Sequence, residues 1–519
     1  MRQFFRTHPR FTIGALCWLG LFGIFSITAW QQLPWPTFSS PDETANYAFA
    51  QQVRQTGIAA IPTTLPGSPR SVLNTGTQLV PGSFVFFPSF LGTVGKLTGT
   101  FGILMFGPAL AATAILAWWH FLRRHYGSAC AWTALVVLVT VPTFWFYSSR
   151  GLWQNGVFTS MLMVSFTLSA YAWQKRWWPL SILTGFSWGV ALAIRPSEAT
   201  WLLPGILVAS LLVWKSVPWK HVALAAACTL LFIPLTFALQ RQAYGSVTGS
   251  GYRPEGIFVS SATTESPSWM RNTVKVFYPF GTNPWRALQR FEYQSRPIAV
   301  MTYAGLLGLL FVLFKRSTTR QTRAVVVGSL VSGVLLVILY GNYTFVEYPV
   351  SRDPTLGISY LRYWLPLVPL FAFGIGALAQ WLRTFKRFGR AAAIVGTGLL
   401  VGLNLYPFLT SDIGPRSTIP QFQRQQAESR WIVASTPTNA IVIGNDKATF
   451  PRRHAVGVNA ATLLPVDTIQ SYAKVAPVYV YLGSADAASV AAATYASLPH
   501  GELISGPNNA ALMPFPHSP

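Results

Sequence analysis

Charged residues are scarce in this chain, and acidic residues are the scarcest. Only 10% of its 519 residues are charged, with 14 acidic against 38 basic side chains. Soluble domains carry roughly 25% charged residues, whereas 51% of this chain is hydrophobic. The composition therefore indicates a membrane protein. The acids also avoid the middle of every apolar span, which argues against a transporter coupled to protons or ions.

Cysteine is almost absent as well. The three cysteines, Cys17, Cys130 and Cys228, all fall inside apolar spans, so they provide neither a disulfide framework nor the spacing of a metal site. None of the seven histidines falls in residues 31–100 or 239–297, the first two regions predicted to be external. A carboxylate is therefore the default candidate for a general base in those regions.

Basic residues are abundant by comparison, and the formal net charge is +24. They occur in short clusters between apolar spans, which is the positive-inside pattern of membrane proteins and not a nucleic-acid-binding face. The clusters are Arg123-Arg124, Lys175-Arg176, Lys215 with Lys220, Lys315 to Arg323, and Arg383 to Arg390. We therefore expect membrane lipid, and no nucleic acid, as a partner.

The apolar spans fit the roughly 17–25 residues that cross a bilayer. Eleven are predicted, at residues 11–30, 101–122, 128–147, 156–173, 178–195, 199–214, 221–238, 298–314, 324–343, 359–381 and 391–409. With eleven spans, every basic cluster falls on the same side of the membrane as the N-terminus. Because basic clusters favour the cytoplasm, the N-terminus is predicted to be cytoplasmic and the C-terminus external. We expect a multi-pass protein of the plasma (inner) membrane.

Residues 79–97 are also apolar, but counting them as a span would move every later basic cluster outside. They are therefore predicted to form an external re-entrant or interfacial helix. The predicted fold is an all-α polytopic membrane domain, residues 1–410, with external loops at 31–100 and 239–297.

The C-terminal region, residues 411–519, is too polar to continue the membrane pattern. Residues 440–443 and 478–482 have the composition of short buried strands, and residues 485–498 that of a helix. The sequence therefore predicts a small extracytoplasmic α/β domain.

Two adjacent acids begin a predicted helix in the first external loop. Pro41 suits the first helical position, and Asp42 and Glu43 lie at the positive N-terminal end. The amphipathic pattern runs to Gln55 and stops at Gly57. Two interpretations are open: the acids cap a surface helix, or one of them is a general base.

Three arginines lie at predicted external ends of spans, against the bias that sends basic residues to the cytoplasm. Arg150 ends the third span, Arg195 ends the fifth, and Arg362 begins the tenth. Arginine binds phosphate oxygens through two parallel N–H groups and stays charged, so the three together indicate a phosphate site. Snorkelling or helix capping explains each of them singly.

Two of these elements resemble motifs of the GT-C superfamily. Pro41-Asp42-Glu43 after the first span is similar to its Pro-Asp-Glu element, and Arg362-Tyr363-Trp364-Leu365-Pro366 is similar to its Arg-Tyr-x-x-Pro element. GT-C proteins are membrane glycosyltransferases that use polyprenyl-phosphate sugars, among them protein O-mannosyltransferases and aminoarabinose transferases. The resemblance implies that Asp42, or as second choice Glu43, is the catalytic carboxylate.

The resemblance also implies roles for other residues. Arg362, with Arg150 and Arg195, would bind the donor phosphate. Four residues are assigned to the substrate cavity: Tyr47, Tyr360, Tyr363 and Glu198. An interfacial aromatic belt explains the tyrosines nearly as well, and a solvated loop charge explains Glu198.

The function implied is that of an enzyme. It would transfer a sugar from a polyprenyl-phosphate donor to a lipid, glycan or protein acceptor on the extracytoplasmic side, with inversion. Some GT-C branches hold a metal with a second acid after the third span, where this chain has no acid between Gly151 and Asn155. A divalent metal, magnesium or manganese, is therefore left open, with metal-independent transfer preferred. Two other functions are a flippase or transporter of lipid-linked saccharides and an inactive scaffold for envelope assembly.

Overall fold

The computed structural model describes residues 9–247, 249, 251, 280–343, 360–410, 414–458 and 464–517. Residues 252–279 of the predicted external loop 239–297 therefore lie outside the described part. The chain divides into two compact units, each assembled from separate stretches. The first unit lies within residues 1–27, 107–234 and 254–416, and the second within residues 28–106, 235–253 and 417–519.

The described residues up to 410 are mainly helical. In order, the helices are α1 (Pro9–Gln32), α2 (Pro41–Thr56), α3 (Phe86–Tyr126), α4 (Ser128–Thr140), α5 (Pro142–Ser148), α6 (Gln154–Lys175), α7 (Trp178–Ile194), α8 (Ala199–Leu212), α9 (Trp219–Leu230), α10 (Phe232–Tyr244), α11 (Pro284–Gln294), α12 (Ala299–Phe314), α13 (Arg320–Gly341), α14 (Leu361–Trp364), α15 (Leu367–Leu382) and α16 (Lys386–Thr410). Helix covers most of each predicted span.

Not every predicted span is long enough by itself to cross a membrane. In the described residues, seven helical stretches are long and apolar enough to cross a membrane, and α9 with α10 forms one of them. The number is eight if α4 and α5, which meet at a bend of 66°, are one span. The three predicted spans that correspond to α7, α8 and α15 are shorter apolar helices. A multi-pass membrane protein is therefore supported, whereas the number of eleven spans and their orientation stay predictions.

Apolar side chains cover the outer faces of several of these helices. Leu207, Leu230 and Leu399 are each more than half exposed. Such exposure is unfavourable in water but is expected where lipid tails surround the helices, because lipid is as apolar as leucine.

Close helix packing in the first unit uses glycine. A side chain at Gly308 on α12 would overlap the carbonyl group of Gly374 on α15. On α8, a side chain at Gly205 would overlap the carbonyl oxygen of Gly328 on α13. Small residues permit such close approach of two backbones in lipid. The contact between α8 and α13 fixes the positions of the polar groups at the ends of these two helices.

The segment 79–97 differs from the prediction of one re-entrant or interfacial helix. Its first residues belong to strand β3 (Gln78–Pro81), and helix begins only at Phe86. The prediction was wrong over the first residues because Leu79 and Val80 are buried in a sheet and Pro81-Gly82 disfavours helix. Helix α3 continues to Tyr126 with a break at Gly99, where φ is 68° and ψ is −161°.

Where the structure describes it, the second unit contains two sheets. Strands β1 (Ile61–Pro62), β2 (Val72–Asn74) and β3 form an antiparallel sheet in the order β1-β3-β2. The other sheet is mixed and lies in the C-terminal region. Its strands are β4 (Ile441–Ile443), β5 (His454–Val456), β6 (Val478–Leu482), β7 (Ile504–Ser505) and β8 (Ala511–Phe515), in the order β5-β4-β6-β8-β7.

The strand predictions for the C-terminal region are confirmed by β4 and β6. β4 is parallel to β5 and β6, whereas β8 is antiparallel to β6 and β7. The helices here are α17 (Pro415–Ser435), α18 (Asp446–Thr449), α19 (Val466–Ala473) and α20 (Ala485–Thr494). The last ends before the predicted residue 498, since Tyr495 leaves the helical conformation.

The C-terminal region shares a hydrophobic core with the helix that carries the two acids. Phe49 and Val53 of α2 are buried with Phe450 and Ala455, and the rings of Phe49 and Phe450 lie 6.4 Å apart. The predicted boundary at residue 411 stays a prediction, but the packing shows that α2 and the mixed sheet belong to one compact unit.

Candidate functional site

Helix α2 begins and ends as its sequence predicts. The Ser40 hydroxyl accepts a hydrogen bond from the backbone N–H of Asp42 at 3.2 Å, and Pro41 occupies the first turn. The helix ends at Thr56, and Gly57 follows with φ of 86°, a conformation that glycine adopts without strain. Both acids therefore lie in the first turn, where the helix dipole stabilises a carboxylate.

The two acids have different surroundings in the second unit. The Ser71 hydroxyl donates a hydrogen bond to Oδ1 of Asp42 at 2.5 Å, and Asp42 is half-buried. Glu43 is only 1% exposed. Asp42 is therefore the acid that a bound molecule reaches more easily.

Tyr47 lies one turn further along α2 and is buried. Its hydroxyl accepts a hydrogen bond from the Gln51 amide at 2.9 Å, and its ring lies 5.3 Å from that of Phe38. Burial raises the pKa of the Tyr47 hydroxyl, and the hydrogen bond from Gln51 opposes that shift. Tyr47 is thus a neutral side chain that keeps its proton at neutral pH.

In the first unit, the three predicted arginines lie in one group, here called the arginine–aromatic cluster: Arg150, Trp153, Arg195, Arg362 and Tyr363. The guanidinium carbons of Arg150 and Arg362 lie 5.8 Å and 5.7 Å from the centroid of the Trp153 ring. Those of Arg362 and Arg195 lie 4.8 Å and 5.6 Å from the Tyr363 ring. Two aromatic rings therefore connect all three arginines.

Local structure explains how residues far apart in sequence meet in this cluster. Arg150 follows the bend between α4 and α5, and Trp153 precedes the first residue of α6. The Asn155 side chain on α6 donates a hydrogen bond to the backbone oxygen of Arg362 at 2.8 Å. The start of α6 is thereby tied to α14, which carries Arg362 and Tyr363.

The arginine–aromatic cluster concentrates positive charge in a buried region of the protein. Arg150 and Arg195 are each 5% exposed, and the Arg362 guanidinium donates a hydrogen bond to the Tyr363 hydroxyl at 2.9 Å. Stacking on a ring uses the flat face of a guanidinium, whereas its N–H donors lie in its plane. Such an arrangement can hold an oxyanion while the rings contact apolar or sugar surfaces.

Arg195 and Glu198 form a buried ion pair at 2.6 Å. The Tyr340 hydroxyl donates to Glu198 Oε1 at 2.7 Å and accepts from Arg195 at 3.0 Å, and the Trp201 indole donates to Glu198 Oε2. Glu198 is 2% exposed, so the interpretation as a solvated loop charge was wrong. Arg195 thus has a partner within the protein, and Tyr363 stacks on Tyr340 at 4.5 Å.

Replacing Glu198 with glutamine is expected to lower the free energy of unfolding by about 3 kcal/mol, because removing one charge of a buried pair leaves the other uncompensated. Thermal unfolding in detergent, followed by tryptophan fluorescence, measures the change. The matched control is Glu292→Gln, whose ion pair with Arg296 is 3.7 Å long and more than half exposed. The control should change the free energy by less than about 1 kcal/mol; equal effects of the two variants would contradict the expectation.

Tyr360 precedes α14 and has mainly structural contacts. Its hydroxyl donates a hydrogen bond to the backbone oxygen of Tyr343 at 2.6 Å, and its ring stacks on Trp364 at 5.6 Å. Tyr363 is a member of the cluster. Tyr360 instead packs at the N-terminal end of α14, the helix that carries Arg362 and Tyr363. Asp42, Glu43 and Tyr47 lie in the second unit.

Among the described residues, no group of three or more histidine, cysteine or acidic side chains is placed to hold a metal ion.

Two charged residues that pair next to Ser71 were not predicted from the sequence. Arg70 forms an ion pair with Asp446 at 2.7 Å, and Arg70 directly precedes Ser71. Arg70 lies within the predicted external loop 31–100 and not at the end of a span, so the criterion that selected Arg150 does not apply to it. Asp446 carries no comparable sequence signal.

Comparisons with known proteins agree with this architecture. No protein-family model and no curated protein matches the chain. Among solved structures, the chain is similar to ArnT from Cupriavidus metallidurans bound to undecaprenyl phosphate, with a TM-score of 0.56, 12% identity and coverage of 98% of both chains. It is also similar to the oligosaccharyltransferase of Archaeoglobus fulgidus in complex with zinc and sulfate, with a TM-score of 0.51 and 11% identity over 94% of this chain and 72% of that one.

A further structure of the archaeal enzyme, AglB with an inhibitory peptide and a dolichol-phosphate, matches with a TM-score of 0.50 and 11% identity over 99% of this chain and 75% of that one. ArnT and AglB are GT-C polyprenyl-phosphate glycosyltransferases. At these identities the likeness concerns the fold, which this chain shares with ArnT and AglB over nearly its whole length.

Proposed function

We propose that this protein is an integral-membrane glycosyltransferase that moves a sugar from a polyprenyl-phosphate donor to an acceptor on the extracytoplasmic side. The ArnT and AglB structures contain undecaprenyl phosphate and dolichol-phosphate, which supports a lipid phosphate as the carrier. The acceptor is a hydroxyl group on a lipid, glycan or protein.

Asp42 is the proposed general base. It removes a proton from the acceptor as the acceptor atom forms a bond to C1 of the sugar. The bond between C1 and the phosphate oxygen breaks at the same time, its electron pair stays on the polyprenyl phosphate, and the configuration at C1 inverts. Asp42 suits this task because it is half-buried and its carboxylate is oriented by a hydrogen bond from Ser71.

The arginine–aromatic cluster is the proposed site for the donor phosphate. Negative charge grows on that phosphate as the sugar leaves, and guanidinium groups in a place of low dielectric constant stabilise it strongly. Arg362 and Arg150 are the principal ligands. Arg195 contributes its charge less, since Glu198 neutralises it at 2.6 Å.

One observation carries the proposal: in a chain with the GT-C fold, the three arginines chosen from sequence are connected by Trp153 and Tyr363. Span ends that merely snorkel would have no reason to converge. A flippase of lipid-linked saccharides would also use such a cluster, but it would not need Asp42.

The proposal is tested with purified protein in lipid nanodiscs and a panel of radiolabelled polyprenyl-phosphate sugars, with membrane lipids, glycans and peptides as acceptors. We expect label to leave one donor and to appear on one acceptor class with wild type but not with Asp42→Asn. Failure of every donor, together with donor translocation in proteoliposomes that Asp42→Asn retains, would favour the flippase. Absence of both activities would favour a scaffold.

The proposed sidedness has its own test. In a variant without the native cysteines, Ser471→Cys on α19 is expected to react with a membrane-impermeant maleimide added outside intact cells. Ser317→Cys, between α12 and α13 among the basic residues predicted to be cytoplasmic, should react only after the membrane is opened. Both positions are exposed, so they differ in sidedness and not in burial; the reverse labelling pattern would overturn the orientation.

A further inference from the structure

We propose that Ser71 is a positioning residue for the Asp42 carboxylate, and that the C-terminal sheet domain holds Ser71 in place through the ion pair between Arg70 and Asp446. The inference rests on the proposed function, because it concerns the orientation of the general base. It assigns to the C-terminal region an indirect part in the reaction, through the orientation of Asp42.

The first observation is the contact itself. The Ser71 hydroxyl donates to Asp42 Oδ1 at 2.5 Å, which is at the short end for an O–H···O⁻ hydrogen bond. A hydrogen bond to one oxygen restricts rotation of the carboxylate, so the other oxygen keeps a defined direction. A general base needs such a direction, since proton transfer requires one oxygen within hydrogen-bond reach of the acceptor.

The second observation is the backbone of Ser71. Its φ is 60°, in the left-handed region that residues other than glycine rarely adopt. Such a conformation persists only where the surroundings enforce it, and it is found often at functional sites. Here the Ser71 carbonyl accepts a hydrogen bond from the Gly82 N–H at 2.9 Å, and Val72 enters the sheet opposite Pro81.

The third observation is the attachment of this loop to the C-terminal region. Asp446 Oδ2 accepts from the backbone N–H and from Nε of Arg70 at 2.8 Å and 3.2 Å, and Oδ1 accepts from its terminal nitrogen at 2.7 Å. Asp446 is 2% exposed. Because the backbone of Arg70 is bound as well as the side chain, the ion pair fixes the chain immediately before Ser71.

A further link lies next to the ion pair. The Gly457 N–H, just after β5, donates to the Ser68 carbonyl at 3.0 Å. A side chain at Gly457 would lie 2.7 Å from the Arg70 backbone nitrogen and 2.9 Å from Asp446 Oδ2. Residues 68–71 are therefore held by both the helix α18 and the strand β5 of the mixed sheet.

The test measures kcat and KM for sugar transfer in nanodiscs. Ser71→Ala is expected to lower kcat by about 10- to 100-fold, the effect of losing one hydrogen bond to a charged group, with KM for the donor unchanged. Ser71→Gly removes the hydroxyl but accepts the left-handed φ, so it should be equally impaired. If the role of Ser71 were only conformational, Ser71→Gly would be as active as wild type.

The link to Asp446 is tested by a double-mutant cycle. Asp446→Asn alone should lower kcat. In the Ser71→Ala background it should lower kcat little further, because both changes free the Asp42 carboxylate to rotate. A purely structural role for Asp446 predicts that the two effects multiply. Thr75→Ala, which removes an exposed hydroxyl from the turn between β2 and β3, is the control and should leave kcat unchanged.

The outcomes separate the two proposals. Wild-type kcat in Ser71→Ala, with Asp42→Asn inactive, would overturn the positioning role and leave the glycosyltransferase intact. Absence of transfer by wild type with any donor would instead overturn the proposed function on which the inference rests.

Discussion

Asp42→Asn is expected to lower the rate of sugar transfer by about 10²- to 10⁴-fold, the contribution of a positioned general base. The amide has nearly the same shape and still accepts a hydrogen bond from Ser71 through its oxygen, but it cannot take the proton of the acceptor. The loss should therefore appear in kcat, with little change in KM for the donor.

Measurement of initial rates over a range of donor concentrations separates the two parameters. Asp467→Asn is the matched control, because Asp467 also lies in the first turn of a helix, α19, and is exposed. A variant Asp42→Asn that transfers sugar at the wild-type rate would contradict the role, and an inactive Glu43→Gln beside it would move the role to the neighbouring acid.

Arg362→Lys is expected to raise KM for the polyprenyl-phosphate donor by about 10- to 100-fold, the effect of losing a hydrogen bond between charged groups. Lysine keeps the charge but lacks the planar fork that binds two phosphate oxygens. It also lacks the guanidinium group that lies near the rings of Trp153 and Tyr363. Arg362→Ala removes the charge as well and should bind the donor still more weakly.

Competition by undecaprenyl phosphate without a sugar measures the same site independently of the chemical step. Its inhibition constant should rise in parallel with KM in both variants. The control is Arg387→Ala, an exposed arginine on α16 in a predicted cytoplasmic cluster. Unchanged inhibition in Arg362→Ala would place the phosphate site elsewhere.

The arginine–aromatic cluster shows how far a site could be predicted from the sequence. An arginine at the external end of a span is unusual for electrostatic reasons, so Arg150, Arg195 and Arg362 could be selected without a structure. Their convergence could not, because it depends on the bend between α4 and α5 and on the hydrogen bond from Asn155 to residue 362. The hydrogen bond is a tertiary contact between residues 207 positions apart, and the bend changes the direction of the chain just before Arg150.

The ion pair between Arg195 and Glu198 was only partly accessible to sequence. Their spacing of three residues places them within reach of each other on one helical turn. The interpretation of Glu198 as a solvated charge was nevertheless wrong, because Tyr340 on α13 and Trp201 enclose it. Close contact of α8 with α13 through Gly205 and Gly328 produces that enclosure.

By itself the sequence determined the membrane class, the approximate positions of the apolar helices, the cap and end of α2, and the strands β4 and β6. These features depend on composition, local periodicity and turn residues, which act between near neighbours in the chain. The tertiary structure decided which polar groups meet: Asp42 with Ser71, Arg70 with Asp446, and the arginines with Trp153 and Tyr363. Such pairs depend on packing between distant segments, and no local pattern in the sequence encodes them.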